Sequence, residues 1–300
     1  LKEFLIVYIE EKKEKSFCCS KEKSYFCTKN MFSRKFYLSF MLALSVFLCS
    51  DTPNVLARKK MPKYKLVFHD EFNSKDGKLD TTIWSRAPRA ANMWAKWNSN
   101  SPEVIRIKNG KLICRAIPNP SLSDTATMLT GAINTKNKFY VKYGRIEVRM
   151  KTNGKRGNFP AAWMRPQIDG NPYQYGEIDI IEYFGNEGIA RQTILSHRST
   201  MMNKKDQQTA FFHKDIDCTK WHVYAIEWIP TAIATFIDGV QTGCYPKSSD
   251  KVKLAEGQWS FDRPFYLILN QSLGYGNWHA PNTVDIYETY FDWVRVYQKE

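Results

Sequence analysis

Between Tyr143 and Met150 the chain reads YGRIEVRM, with Ile146, Val148 and Met150 at every second position and Arg145, Glu147 and Arg149 between them. A two-residue period belongs to a strand with one buried and one polar face. From Tyr64 onward such short runs recur, separated by turn signals, and no segment sustains a helical period. Residues 104–107 and 112–114 flank Asn109-Gly110, whose residues readily take the positive φ of a type I′ hairpin turn. Residues 224–228, 234–237 with Asp238-Gly239 as the turn, 265–269 and 290–297 continue the series. Many short strands without a linker across 64–298 predict one all-β domain, a β-sandwich or jelly roll. Segments 118–127, 164–175 and 200–208 lack a period and read as loops, where a rigid sandwich carries its function.

Ahead of this region, residues 36–49 (FYLSFMLALSVFLC) form an apolar run behind Arg34 and Lys35. The run is short for a bilayer span and has the shape of a signal-peptide core. Val55-Leu56-Ala57 puts small residues where a signal peptidase needs them, so cleavage after Ala57 is expected, leaving a mature domain of residues 58–300. The expected location is therefore outside the cytoplasm, secreted or periplasmic. A lipid anchor on Cys49 is the competing reading, weakened by Leu48 where lipoprotein signals carry a small residue. Met31 is the first methionine, so residues 1–30 are expected to be an over-extended upstream segment and 31–57 the signal peptide.

Composition narrows the partners. The chain is 43% hydrophobic and 25% charged, a globular balance, and its formal charge of +14 is dispersed, without a block of five or six like charges. That distribution argues against a nucleic-acid arm, and an anionic glycan would explain it better. Beyond the signal region three cysteines remain, Cys114, Cys218 and Cys244, which permit at most one internal disulfide. No CxxC, HExxH or EF-hand pattern calls for a metal.

The stretch that carries chemistry is Tyr175-Gly176-Glu177-Ile178-Asp179-Ile180-Ile181-Glu182-Tyr183. In a regular strand Glu177 and Asp179 share a face and Glu182 points to the other. A β-bulge at Ile180-Ile181 would turn all three acids to one face and bury the isoleucines behind them. The Glu177 and Glu182 backbones would then lie roughly 13 Å apart, within reach of two glutamates leaning toward one sugar ring. Like charges so placed repel and share protons, pushing one pKa upward. One ionised and one protonated carboxyl are what glycoside hydrolysis needs. An exposed acidic strand face is the plainer reading of any such run, but three acids interleaved with isoleucines and followed by an aromatic favour catalysis.

The run resembles the E-x-D-x-x-E signature of glycoside hydrolase family 16. Asp70-Glu71-Phe72 with Trp84, Tyr143–Lys151, Pro160–Met164, Glu227-Trp228, Asp238-Gly239, Phe265–Asn270 and Asp292–Tyr297 are similar to that family's framework, in order. The resemblance spans about residues 64–298 and is to laminarinase-like endo-β-glycanases, while Gln192-Thr193 and Gln271 also resemble relatives that cut β-galactosidic bonds. It implies a concanavalin A-like jelly roll with a concave cleft, endo-action on a polysaccharide and retention through a glycosyl-enzyme. It assigns Glu177 as nucleophile, Glu182 as acid/base and Asp179 as the supporting acid. It requires no cofactor, and it implies a structural Ca2+ held partly through Asp292.

A sugar presents an apolar face and a rim of hydroxyls, so cleft residues should combine rings with hydrogen-bonding groups. Trp94, Trp97, Trp163, Tyr173 and Trp278 are candidate platforms, although Trp163 could equally sit in the core. His197, on the strand after the carboxylates, matches a family position that contacts substrate. Asn158, Arg165 and Gln271 could read hydroxyls. Phe159 stands where many laminarin-cleaving relatives have Trp, and Pro172 where they have another. The expected activity is retaining hydrolysis of a β-1,3- or mixed-linkage β-glucan by a monomer. A galactose-containing mucin or algal glycan is the second substrate, and a non-catalytic glycan-binding sandwich is the alternative of another class.

Overall fold

The computed structural model describes residues 64–75, 77–167, 175–205, 210–274 and 280–300. Its strands are, in chain order, β1 (Tyr64–Asp70), β2 (Ser85–Arg86), β3 (Ile105–Ile107), β4 (Leu112–Pro118), β5 (Met128–Asn134), β6 (Gly144–Thr152), β7 (Asn158–Pro166) and β8 (Gly176–Tyr183). They continue as β9 (Ile189–Ser196), β10 (Phe211–Asp215), β11 (His222–Ile229), β12 (Ala232–Ile237), β13 (Val240–Pro246), β14 (Phe265–Leu273) and β15 (Tyr287–Lys299). Two short helices, α1 (His197–Thr200) and α2 (Lys251–Ala255), and one 3-10 turn at Met93–Ala95 complete the described elements.

Neighbouring strands are antiparallel along the path β10-β9-β8-β7-β14-β5-β4-β15-β6-β11-β12-β13. The path folds over at β5, whose residues 131–134 pair with β14 and 128–130 with β4. The result is the expected sandwich of two layers, a front layer from β10 to β5 and a back layer from β5 to β13. Both inner faces feed one apolar cluster: Met164, Ile178, Leu267 and Leu269 from the front meet Ile146, Val148, Ile226 and Val294 from the back. Each such side chain, fully buried, contributes about 1.5–3 kcal/mol. Trp228 on β11 meets Phe265 on β14 edge to face, centroids 5.1 Å apart. Gln192 on β9 is a polar rivet in this core. Its amide donates to Ile180 O at 2.8 Å within the front layer and to Phe236 O at 3.3 Å across it, and Thr242 donates to Gln192 Oε1 at 2.5 Å.

β6 shows the alternation read from sequence, with Ile146, Val148 and Met150 buried and Arg145, Glu147 and Arg149 facing out. The β3–β4 hairpin turns at Asn109 (φ 53°) and Gly110 (φ 66°), and β12–β13 at Asp238 (φ 51°) and Gly239 (φ 77°). The two short helices were not expected, and some strand ends differ from expectation. Met164, Arg165 and Pro166 belong to β7 rather than a loop, because they pair with Leu267, Tyr266 and Phe265. Cys114 and Cys218 are buried free thiols and Cys244 is an exposed one. No described helix is long and apolar enough to cross a membrane.

Candidate active site

Between Asp179 and Glu182 the register of β8 slips on both sides. Asp179 pairs with Thr193 and Glu182 with Arg191, leaving Ile180 and Ile181 opposite a single β9 residue. Toward β7, Trp163 pairs with Asp179 but the next residue, Ala162, pairs with Ile181. One additional residue in the strand therefore restores the side-chain parity that five residues of regular strand would lose. Ile178, Ile180 and Ile181 are all fully buried in the inter-layer core, so the intervening acids face outward together.

The three carboxyls share one electrostatic environment. Burial raises the pKa of each. Asp179, only 2% exposed, lies well above the usual range because Glu182 and Glu177 add their charge to the burial. Glu182 is pushed up to about 8 by burial and by Glu177, against the pull of Asp179, Arg191 and the Thr193 hydroxyl. Glu177 is raised by burial and drawn back by Arg165 and Tyr175. The Tyr175 hydroxyl donates to Glu177 Oε2 at 3.0 Å, and Arg165 Nε stands 3.9 Å from the same oxygen. The Arg165 guanidinium also lies over the Tyr175 ring, 5.1 Å from its centroid. At neutral pH the cluster therefore holds protons on Asp179 and Glu182 more readily than on Glu177, whose two partners favour the anion.

Register and burial decide the fate of the other candidates. Trp163 stands beside Asp179 on the carboxylate face, 5% exposed. Its indole donates to Asn270 Oδ1 at 2.8 Å, and Trp94 meets it edge to face at 5.1 Å. With Ala161, Ile268 and Tyr266 these rings form an apolar floor separate from the main core. Trp97 belongs to a different cluster, with Ala116, Met128, Leu273 and Tyr287, and carries the Lys96 ammonium 3.9 Å above its ring. Asn158 and Gln271, 1% and 0% exposed, face inward. Gln271 Nε2 donates to Asn158 Oδ1 at 2.6 Å and Thr289 donates to Gln271 Oε1 at 2.6 Å, so these amides bond one another and the back layer. The hydroxyl-reading role expected of them does not fit this placement. The polar residues of β14 on the carboxylate face are Asn270 and Ser272, one residue either side of Gln271. His197 is the first residue of α1 rather than part of β9, buried with its backbone N–H donating to Ser260 Oγ at 3.2 Å. Tyr173 and Trp278 lie outside the described residues.

Asp292 does not fit a calcium ligand. Its carboxylate pairs with Lys111 Nζ at 3.1 Å and with Arg149, and those two cations hold its pKa down despite burial. A divalent cation would have to displace both. Among the described residues no group of three or more His, Cys, Asp or Glu could hold a metal.

Three neighbours of the carboxyls carried weaker sequence signals. Tyr175 precedes the motif and was legible only as an aromatic at the end of a loop. Thr193 and Arg191 are on the carboxylate face of β9 by period two from Leu195, which pairs with Glu177, but locating that face requires the β8 register.

The model of glycosyl hydrolases family 16 matches residues 72–294, and the chain belongs to that family. Among curated relatives, the keratan-sulfate endo-1,4-beta-galactosidase of Sphingobacterium multivorum is 31% identical, over 88% of this chain and 67% of its own. The beta-glucanase of Rhodothermus marinus is 30% identical over 90% of this chain and 96% of its own. The solved laminarinase structure from Flavobacterium sp. UMI-01 aligns with a TM-score of 0.64 at 28% identity, covering 78% of this chain and all of that one. The jelly-roll sandwich and the family read from the motif order are both established by these matches.

Proposed function

We propose that the protein is a retaining endo-β-glycosidase that hydrolyses a β-1,3- or mixed-linkage β-glucan, with Glu177 as nucleophile, Glu182 as acid/base and Asp179 as their supporting acid. The observation that carries this reading is the bulge-driven alignment of three carboxyls with unequal proton affinities on one face. Glu182, with its pKa near 8, carries a proton at neutral pH and donates it to the glycosidic oxygen as that bond breaks. The Glu177 carboxylate attacks the anomeric carbon from the opposite side and forms a glycosyl ester. Glu182, now ionised, takes a proton from water, whose oxygen displaces Glu177 and restores both groups. Asp179 stays protonated between them and limits the repulsion that would otherwise build when Glu182 ionises. Tyr175 and Arg165 stabilise Glu177 as an anion in the resting site and as a leaving carboxylate in the second step. No cofactor enters this sequence.

Trp94 supplies apolar surface for the sugar ring, backed by the buried Trp163, whose indole Asn270 aligns through its hydrogen bond. A galactose-containing glycan is the second substrate. Phe159 in place of a broader indole, the Arg165 cation beside Glu177 and the similarity to an endo-β-galactosidase favour it. Export through the segment 31–57 agrees with a polymer substrate too large to enter a cell; those residues lie outside the described ones. Incubating residues 58–300 with laminarin, mixed-linkage glucan, agar-type galactans and mucin glycans and sizing the products tests both readings. Oligosaccharides from a glucan support the first and those from a galactan or mucin the second. Binding without cleavage of any polymer overturns the catalytic assignment.

A further inference from the structure

On the outer face of the back layer, β3, β4, β15 and β6 place a row of side chains across the strands. Arg106 pairs in register with Ile113, Ile113 with Tyr290, and Tyr290 with Lys151. Three interstrand spacings make this row about 14 Å long. A groove of about 390 Å³ runs beside it, lined by Arg106, Lys108, Lys111, Arg115, Glu288 and Tyr290, among others. It opens on the opposite side of the sandwich from the carboxylate face.

Charge in this region does not cancel. Arg106, Lys108, Lys111, Arg115, Arg149 and Lys151 meet three acids. Glu103 takes Arg106 and Arg115, Glu288 takes Arg115, and Asp292 is shared by Lys111 and Arg149. Lys111, Arg149 and Lys151 also converge on one ring, lying 5.6, 4.9 and 5.3 Å from the Trp221 centroid, and Lys151 stands 5.4 Å from that of Tyr290. Contact with an aromatic face fixes a cation in place without neutralising it as a carboxylate would. The rings thus hold ordered cations with charge left over for an anion.

We propose that this face is a second carbohydrate-binding surface, for a sulfated or carboxylated polysaccharide. It goes beyond the hydrolytic site and rests on the reading that the protein works on glycans. An acidic sugar chain offers anionic groups to the cations, hydroxyl donors to Glu288 and Glu103, and apolar ring faces to Tyr290 and Trp221. A polyphosphate backbone would find the cations but be repelled by the interspersed carboxylates. A chain held here is tethered near the catalytic face, which raises the local concentration of its other segments there.

The test is native electrophoresis of residues 58–300 through gels holding a sulfated galactan or the same polymer chemically desulfated. The Lys108→Glu/Lys151→Glu variant is compared with the parent. Retardation by the sulfated gel should weaken about tenfold in the variant, while the desulfated gel treats both alike. Lys108→Gln/Lys151→Gln, with a melting temperature matched to the parent, should show a smaller loss of the same kind and separates binding from misfolding. Equal retardation of parent and variants overturns the proposal, as does complete release of the sulfated polymer by a neutral oligosaccharide that fills the hydrolytic site. Retardation by single-stranded DNA as strong as by the sulfated galactan assigns the face to polyanions in general and overturns the glycan assignment. Hydrolysis of a short neutral oligosaccharide should be unchanged in both variants. Its absence in the parent would sink the proposed function and leave the outer face to be judged by the gels alone.

Discussion

Along β6 the outward side chains are Arg145, Glu147, Arg149 and Lys151; along β8 they are Glu177, Asp179 and Glu182. Both strands display charge on one face, yet the two rows differ in what surrounds each group. Arg145 bonds Glu147 at 2.6 Å and Glu227 at 3.0 Å, Arg149 pairs with Asp292, and Arg295 on β15 grips Glu71 with two bonds of 2.9 Å. There, opposite charges hold the ionised forms: burial works against Arg145, but Glu147 and Glu227 raise its pKa above the ordinary value. On β8 the acids share a face: burial moves all three upward, and repulsion from neighbouring acids adds to it at Asp179 and Glu182. Along β6, Arg145, Glu147 and Arg149 are paired with opposite charges that hold them ionised, whereas the β8 acids keep a raised proton affinity, as the proposed proton transfer requires.

The largest effect that tests this contrast is on Glu177. Glu177→Gln should lose more turnover than any other single change described here, beyond 10³-fold, with oligosaccharide affinity nearly unchanged by calorimetry. Retained turnover would remove Glu177 from the reaction. Next comes Glu182→Gln, expected to lose about 10²–10⁴-fold on a polysaccharide. It should recover much of its first step on an aryl glycoside whose leaving group needs no proton. In the parent enzyme, kcat/KM should fall as pH rises through about 8, as Glu182 loses its proton, and that alkaline limb should vanish in the variant.

A smaller effect is expected from Tyr175→Phe, which deletes the 3.0 Å hydrogen bond to Glu177. Loss of one bond to a charged group, about 1.5–3 kcal/mol, corresponds to roughly a 10- to 150-fold drop in kcat. The acid limb of the pH profile should also move upward, because the anion of Glu177 loses a donor. A drop without that movement would mean that Tyr175 acts only through packing.

Stability offers the fourth test. Glu182 keeps its proton to about pH 8 in the folded chain but only to the ordinary 4.5 when unfolded. Across that window the unfolded state gives up the proton first, so rising pH favours unfolding. Glu182→Gln should therefore match the parent near pH 4.5 and melt on the order of 10 °C higher at pH 8. A gap that stays flat with pH would contradict the shift. The smallest effect belongs to the paired row: Asp292→Asn should cost up to about 1 kcal/mol and leave activity intact. Adding EDTA should not move the melting temperature, and a fall restored by calcium would reopen the metal reading of that residue.

Much of the site was legible because the motif combines two periodicities. Glu177 and Asp179 are two apart, Glu182 is five from Glu177, and the buried Ile180-Ile181 pair absorbs the odd residue. The turns at Asn109-Gly110 and Asp238-Gly239 were legible for a comparable local reason, the positive φ both pairs adopt. Asn158 and Gln271 were not, since a sequence reveals that neighbours alternate but not which of two polar neighbours faces the sugar. Asn270 and Gln271 look equally suited until β14 is paired with β7. Nor does sequence distinguish Trp163 from Trp97, one beside the carboxylates and the other in a separate cluster, because that depends on which strand each ring meets.

The doubled isoleucine on β8 makes the site sensitive to counting as well as to chemistry. Exchange of either isoleucine for valine would leave Glu182 where it is. Deleting one would straighten the strand and rotate a carboxyl into hydrocarbon, while every acid of the motif remained in the gene. A frame-preserving loss of three nucleotides could thus silence the enzyme more thoroughly than many missense changes in the substrate floor.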